Sequence, residues 1–425
     1  MSTTRFYGWT LLAVLSTIYF LIIGTSFYGF GVALAPMIES MGWSRTEAAI
    51  GYSIFALSMG IIGPLIALFI QRFSTRLCIF VGGMLTVTGA MLTFYAESLT
   101  QYYIGAGAFM GIGVAMQSFL PCSQLVATWF VKKRALGMGL LMASGGLGAF
   151  IVAPAFSWLL TETGNWRYLW LVIAICGALA AVLAVIFVRE NPADIGQFPD
   201  GIDPDAEKSE EELEAAAAAP VVIHRDWKVG EVIRTYAFWI IVLVATVVMA
   251  SVNMVNSQVV LHLTDMGLTA TFAASALGIQ GFLSTGGRLL AGSLGDRFDP
   301  RKILVVGLFC LLVGILILSI ANTTVLSYLF ASLFGLGFGM AVVAYSTLLA
   351  NYFGSLYFAQ IVSVLGFVST IIGASVPVLA GFAYDWLGSY IVVFLIISAF
   401  AFVSMVLSII MRAPVHPVES ASVAS

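Results

Sequence analysis

Apolar stretches of roughly 20–28 residues, each long enough to cross a bilayer as a helix, follow one another along this chain with short polar breaks. Their cores lie at 8–35, 46–70, 77–95, 102–128, 135–160 and 166–188, then at 237–262, 271–295, 303–321, 325–350, 359–384 and 390–411. The pattern predicts an all-α membrane protein with twelve transmembrane helices in two sets of six. A polar segment, 189–234, separates the sets; it holds the run Glu207-Lys208-Ser209-Glu210-Glu211-Glu212-Leu213-Glu214 and then alanines 215–219. That composition suits a short surface helix or a mobile tether. The expected organisation is a bundle at 1–188, a linker at 189–234, a second bundle at 235–412 and a polar tail at 413–425.

Charge orients the pattern. With the amino terminus inside, 15 of the 18 Lys and Arg fall on the inner side, Arg45 and Arg167 fall outside, and Arg288 falls within a span. The excess of positive charge inside places both termini in the cytoplasm. The first apolar run is too long for a signal-peptide core and is expected to be the first helix.

At 60% hydrophobic and 9% charged residues, the composition excludes a soluble domain. Twelve of the 21 acids lie between Glu190 and Glu231, so the net charge of −3 reflects one loop. Cys78, Cys122, Cys176 and Cys310 lie in separate apolar runs, with neither disulfide nor metal-ligand spacing. No metal, cofactor or nucleic-acid partner is expected. No nucleophile–base pair lies in the spans, which argues against an enzyme.

The two halves repeat one another. A shift of 225 carries Met41-Gly42 onto Met266-Gly267, Ala48-Ala49 onto Ala273-Ala274 and Arg72 onto Arg297. With a slightly smaller shift, Gly111-x-Gly113-x-x-Met116 matches Gly335-x-Gly337-x-x-Met340, and Trp129-Phe130 matches Tyr352-Phe353. Parallel six-helix halves related about the membrane normal are a transporter architecture, with the substrate site between the halves at mid-membrane.

Arg288 is where the halves differ most, since its repeat partner is Gly63. It lies in an apolar run, Thr271 to Leu294, that contains no other ionisable residue. A guanidinium costs at least ~2.5–3.5 kcal/mol at such depth, so it faces a cavity or a partner. It precedes the loop at Asp296 by about two turns, roughly 12 Å at 1.5 Å per residue. Apart from Glu47 at the very edge of its run, no Asp or Glu lies in any span core, so a partner anion must arrive from solution. The forked donors of Arg suit a carboxylate. The competing role is a structural cation bonded to backbone carbonyls and side-chain amides.

The loop Gly292-Ser-Leu-Gly-Asp296-Arg297-Phe-Asp299-Pro-Arg301-Lys302 resembles the G-x-x-x-D-R-x-G-x-R-K signature of the major facilitator superfamily, with Asp299 in place of the second glycine. The first-half copy keeps Arg72 and Arg76 but lacks the acid. The resemblance implies the major facilitator fold, two bundles related by a pseudo-two-fold axis. It also implies gating roles for Asp296, Arg297, Arg301 and Arg72 at helix ends. Plain topology-setting charge is the competing role.

Trp129-Phe130-Val-Lys132-Lys133-Arg134-Ala-Leu136-Gly-Met-Gly139 and the opening Phe6-Tyr7-Gly8-Trp9 are similar to segments of the monocarboxylate transporter family. Arg288 matches the substrate arginine of that family's eighth helix, and the bacterial oxalate:formate antiporter looks alike there. Three departures matter. Ser284 stands where mammalian lactate carriers have an acid, Phe27 and Tyr28 stand where they have a lysine, and 366–373 lacks the oxalate carrier's second cation. One mid-membrane cation favours one carboxylate over two.

The expected substrate-binding set is therefore Arg288 with Tyr28, Gln117, Ser284, Tyr345 and Asn256; Asn253 shares a face with Asn256. A hydrogen bond between helices is the competing role for each residue other than Arg288. The expected function is alternating-access transport of a small monocarboxylate such as lactate, coupled to a proton, by a monomer in a bacterial plasma membrane. Anion exchange, efflux of larger amphiphiles and a transport-like sensor are the alternatives. His262, near the outer end of its span, suits an interfacial polar role better than proton sensing.

Overall fold

The computed structural model describes residues 6–131, 133–202, 227–295, 298–354 and 357–414. The first six long helices are α1 (Gly8–Met41), α2 (Arg45–Ile61 continued by Gly63–Arg72), α3 (Thr75–Phe94), α4 (Leu99–Trp129), α5 (Arg134–Thr163) and α6 (Arg167–Phe187). The second six are α7 (Tyr236–Asp265), α8 (Ala270–Gly295), α9 (Pro300–Leu318), α10 (Thr324–Phe353), α11 (Phe358–Leu387) and α12 (Ile391–Ile410). Among the described residues, ten helices are long and apolar enough to span a membrane, and α2, bent by 46°, makes an eleventh as a pair. At 26 residues, α8 has the length but misses the apolarity, because it is rich in Gly and Ser and carries Gln280 and Arg288.

The sequence repeat has a direct structural meaning. Gly42 and Gly267 both take positive φ, 67° and 91°, at the ends of α1 and α7, where only glycine is unstrained. In α4, Gly111 lies against the Phe55 carbonyl of α2, while Gly113 lies against Gly82 and Thr86 of α3. In α10, Gly335 lies against the Gln280 carbonyl of α8, while Gly337 lies against Gly307 of α9. Each G-x-G pair thus packs one helix against two neighbours, and the neighbours correspond between halves. Small residues permit such backbone contact, and a side chain at these positions would push the helices apart. Ser74 and Asp299, 225 apart, are the equivalent N-caps of α3 and α9.

Most of the linker's charged run, including Glu207 to Glu214, lies outside the described residues. Its described ends are tied down rather than free. The Tyr7 amide donates to Gln197 Oε1 at 2.9 Å, and the Val131 amide donates to Asp200 Oδ2 at 2.9 Å. At the other end the Trp227 amide donates to the Phe353 carbonyl at 3.3 Å, and the two rings meet edge to face.

Candidate functional site

Two glycine contacts and one irregular turn shape α1. The helix widens into a π segment over Ile23–Tyr28 and resumes at Gly29. Such segments shift the face a helix presents and recur at functional sites. A Cβ on Gly24 would come within 2.9 Å of the Gly148 backbone in α5, and one on Gly31 would collide with the Asn256 carbonyl in α7. Tyr19, Ile23, Phe27 and Tyr28 then point into a cavity of about 300 Å³ between the halves.

The opposite wall is α8. A Cβ on Gly339 of α10 would collide with the Ser284 carbonyl, and one on Gly287 would collide with the Leu336 carbonyl. This close pairing sets Arg288 beside the Phe338 ring, with its guanidinium carbon 5.6 Å from the centroid. Arg288 lines the cavity with Ser284, and its Nε has no hydrogen-bond partner. Among the described residues, no salt bridge includes it. Its charge acts on the hydroxyls of Tyr19, Tyr28 and Tyr345. Ser284 Oγ donates to the Gly281 carbonyl at 2.8 Å and adjoins the Tyr28 hydroxyl. The arrangement is a half-buried cation on the wall of a cavity that Tyr19 and Tyr28 also line, with its Nε buried and unpartnered.

Of the residues expected at the site, Arg288, Tyr28 and Ser284 line the cavity, and Tyr345 stays within reach of the Arg288 charge without lining it. Gln117 does not reach it. It is fully buried between α3 and α4, where its Oε1 accepts from Thr86 Oγ1 at 3.1 Å. Asn256 is also fully buried, beside the Tyr52 hydroxyl, with both amide atoms unpartnered; Asn253, one turn away, is the α7 residue in the cavity. The i,i+3 spacing identified the shared face, but the roll of α7 decides which asparagine opens to the cavity. Tyr19, Phe338, Thr370, Met59, Met142 and Met249 also line it and were not singled out from the sequence. The four-residue spacing of Tyr19, Ile23 and Phe27 was the signal available for the first.

At the helix ends, Asp296 and Arg297 lie outside the described residues. Arg301 donates to Asp299 Oδ2 at 2.6 and 2.9 Å, to Oδ1 at 3.3 Å, and to the Met411 carbonyl at 2.9 Å, joining the start of α9 to the end of α12. The bound guanidinium holds the Asp299 carboxyl below its ordinary value. The acid that replaces the superfamily's glycine is therefore the partner of Arg301. Arg72 is exposed, with its guanidinium 5.9 Å from the Phe73 ring.

The two ends of the bundle differ. Opposite the termini, Arg45 Nη2 meets Asp265 at 2.9 Å and Nη1 donates to the Tyr390 hydroxyl at 3.1 Å, with the guanidinium carbon 4.4 Å above the Tyr384 ring. Asp385 of α11 accepts the Arg45 and Thr46 amides, at 3.0 and 2.9 Å, so α11 caps the start of α2. The Ser157 and Thr271 hydroxyls, 3.4 Å apart, also join the halves at this end. Toward the termini, clefts of about 650 Å³ between α2 and α11 and about 420 Å³ between α5 and α8 separate the halves.

Twelve helices in two repeated halves around a central cavity define a multi-pass membrane transporter fold. The chain belongs to the Major Facilitator Superfamily, whose family model matches residues 16–377 and 289–425. It is similar to bovine monocarboxylate transporter 13, at 25% identity over 403 residues covering 92% of this chain and 87% of that protein. It is 24% identical over 374 residues to zebrafish monocarboxylate transporter 12-B, covering 83% and 76%. The match to human monocarboxylate transporter 14 is 32% identical over 202 residues and spans 45% of this chain and 38% of that protein. In fold it resembles a bacterial homolog of the human lysosomal transporter Spinster, with a TM-score of 0.66 at 16% identity over 96% and 97% of the two chains.

Proposed function

We propose that this transporter carries small monocarboxylates across a bacterial plasma membrane by alternating access, with the substrate carboxylate bound to Arg288. The observation that carries the reading is a central guanidinium with an unpartnered Nε and no salt bridge among the described residues. Buried charges are paired, so a cavity that holds an unpaired cation suits an anion. The forked donors take a carboxylate, and Tyr19 and Tyr28, which line the same cavity, offer hydroxyls for further hydrogen bonds. The monocarboxylate transporter relatives favour the same class.

The excess of basic residues at the end bearing the termini supports reading that end as cytoplasmic. The interhalf bonds at the far end and the clefts toward the termini then correspond to a state open inward. Substrate leaves to the cytoplasm from this state, and return of the halves to a state open outward requires the Arg45 and Asp385 contacts to break. A proton gradient drives uptake. The described cavity lining holds no Asp, Glu or His, so the proton travels with the substrate or a water rather than on a lining side chain. Each chain carries a complete pathway and acts as a monomer.

The test is uptake of labelled lactate into proteoliposomes under an inward proton gradient, with the parent and Arg288→Gln. Gradient-stimulated uptake in the parent and loss in the variant is the expected result. Equal uptake by both proteins would remove Arg288 as the anion site.

A further inference from the structure

The cavity walls away from Arg288 speak to the rest of the substrate. α2 and α5 contribute Ala56, Met59, Gly60, Met142, Gly145 and Gly146, none with a hydrogen-bonding side-chain group apart from the weakly accepting thioethers. α7 adds Met249 and Val252, with Asn253 as its one polar side chain. Three methionines from three helices therefore face one space. Methionine is flexible and polarisable and packs against apolar groups of varied shape. A small hydroxy acid would place its carboxylate on Arg288 and leave this apolar lining against water. At about 300 Å³ the cavity reaches the lower end of the range that holds drug-sized ligands, beyond what a three-carbon acid fills.

The space also continues sideways. Gly60 and Thr370 line both the cavity and the cleft between α2 and α11, and that cleft adds Leu120, Val364 and Phe367. Gly60 leaves room at the shared edge, where a Cβ would collide with Thr370.

We infer that the preferred substrate is a monocarboxylate with an apolar tail of several carbons, its carboxylate on Arg288 and its tail on Met59, Met142 and Met249. The inference rests on the Arg288 reading given above. It sets the specificity in the tail pocket, with the three methionines as specificity-determining residues. Each buried methylene adds apolar contact worth about a fourfold gain in affinity.

The experiment is equilibrium binding to the full chain in lipid nanodiscs, by competition, of acetate, butyrate, hexanoate and phenylacetate. The parent is compared with Arg288→Gln and Met249→Gln. Affinity is expected to rise about fourfold per methylene along the alkyl series, with phenylacetate among the tighter ligands. Met249→Gln should flatten that rise, weakening hexanoate far more than acetate; Met59→Gln, on a different helix, gives the same readout if Met249→Gln fails to fold. A flat or falling series, with acetate binding still dependent on Arg288, overturns the tail inference alone. A series that binds Arg288→Gln as it binds the parent overturns the carboxylate reading and the tail inference with it.

Discussion

Arg45, at the end opposite the termini, gives its guanidinium to Asp265 and Tyr390 and lies over the Tyr384 ring. Arg288, in the middle of the molecule, lies beside Phe338 with its Nε unpartnered and is in no salt bridge among the described residues. Both stand where the halves meet. The difference teaches what each does: a cation whose partners come from the other half fastens the halves, and a cation without such partners waits for an anion. A cation needs compensation in either case, and only its source differs.

The sharpest way to break this comparison is to remove the central charge. Arg288→Gln should lower carboxylate uptake at least about 30-fold, since loss of one partner of a close charged pair costs about 2–5 kcal/mol. Uptake assays in proteoliposomes check it. Arg288→Lys should restore only part of the activity, because an ammonium lacks the planar fork.

Removing the peripheral charge should act on shape instead. Arg45→Gln loses charged hydrogen bonds worth about 2 kcal/mol, which shifts the ratio of closed to open far end roughly 30-fold. Spin labels on the α1–α2 and α7–α8 loops should report a longer mean distance in the variant. An unchanged distance distribution would show that Asp385, through the Arg45 and Thr46 amides, suffices to hold this end.

The third prediction concerns why Arg288 is where it is. Gly339→Ala forces a Cβ into the Ser284 carbonyl. The backbones must separate, at about 1–3 kcal/mol. Thermal unfolding should show the loss, and carboxylate affinity should fall with it because Arg288 rides on the same stretch of α8.

The smallest effect belongs to the Asp299–Arg301 pair, with side chains 33% and 38% exposed. Such surface pairs contribute under about 1 kcal/mol. The Asp299 carboxyl is held low in the folded state, so its stabilisation is present above the ordinary aspartate value, ~3.9. It is lost as pH falls through the lowered value. The melting-temperature gap between the parent and Asp299→Asn should be constant between pH 5 and 8 and close below pH 4.

The repeat and the site were legible in the sequence to different depths. Apolar run length specified the helices, and the Met-Gly and G-x-G pairs specified corresponding contacts, because glycine at these positions answers a backbone need that only glycine meets. Arg288 stood out because a charge in an apolar run is costly wherever it points. Which neutral polar residues join it depends on helix roll, which hydropathy does not record. Gln117 turned to Thr86, Asn256 turned to Tyr52, and the π segment of α1 brought Tyr19 and Phe27 to the cavity together with Tyr28. The far-end closure was missed because Arg45 and Asp385 are 340 residues apart and look like ordinary loop charges until the halves are assembled.

The most direct measurement is the shift in thermal unfolding caused by a saturating monocarboxylate in the parent, Arg288→Gln and Arg45→Gln. Ligand that binds only the folded protein raises its stability. The shift should be present in the parent, absent in Arg288→Gln and retained in Arg45→Gln. A shift retained in Arg288→Gln and lost in Arg45→Gln would contradict the assignment of the central arginine to the substrate and the peripheral one to closure.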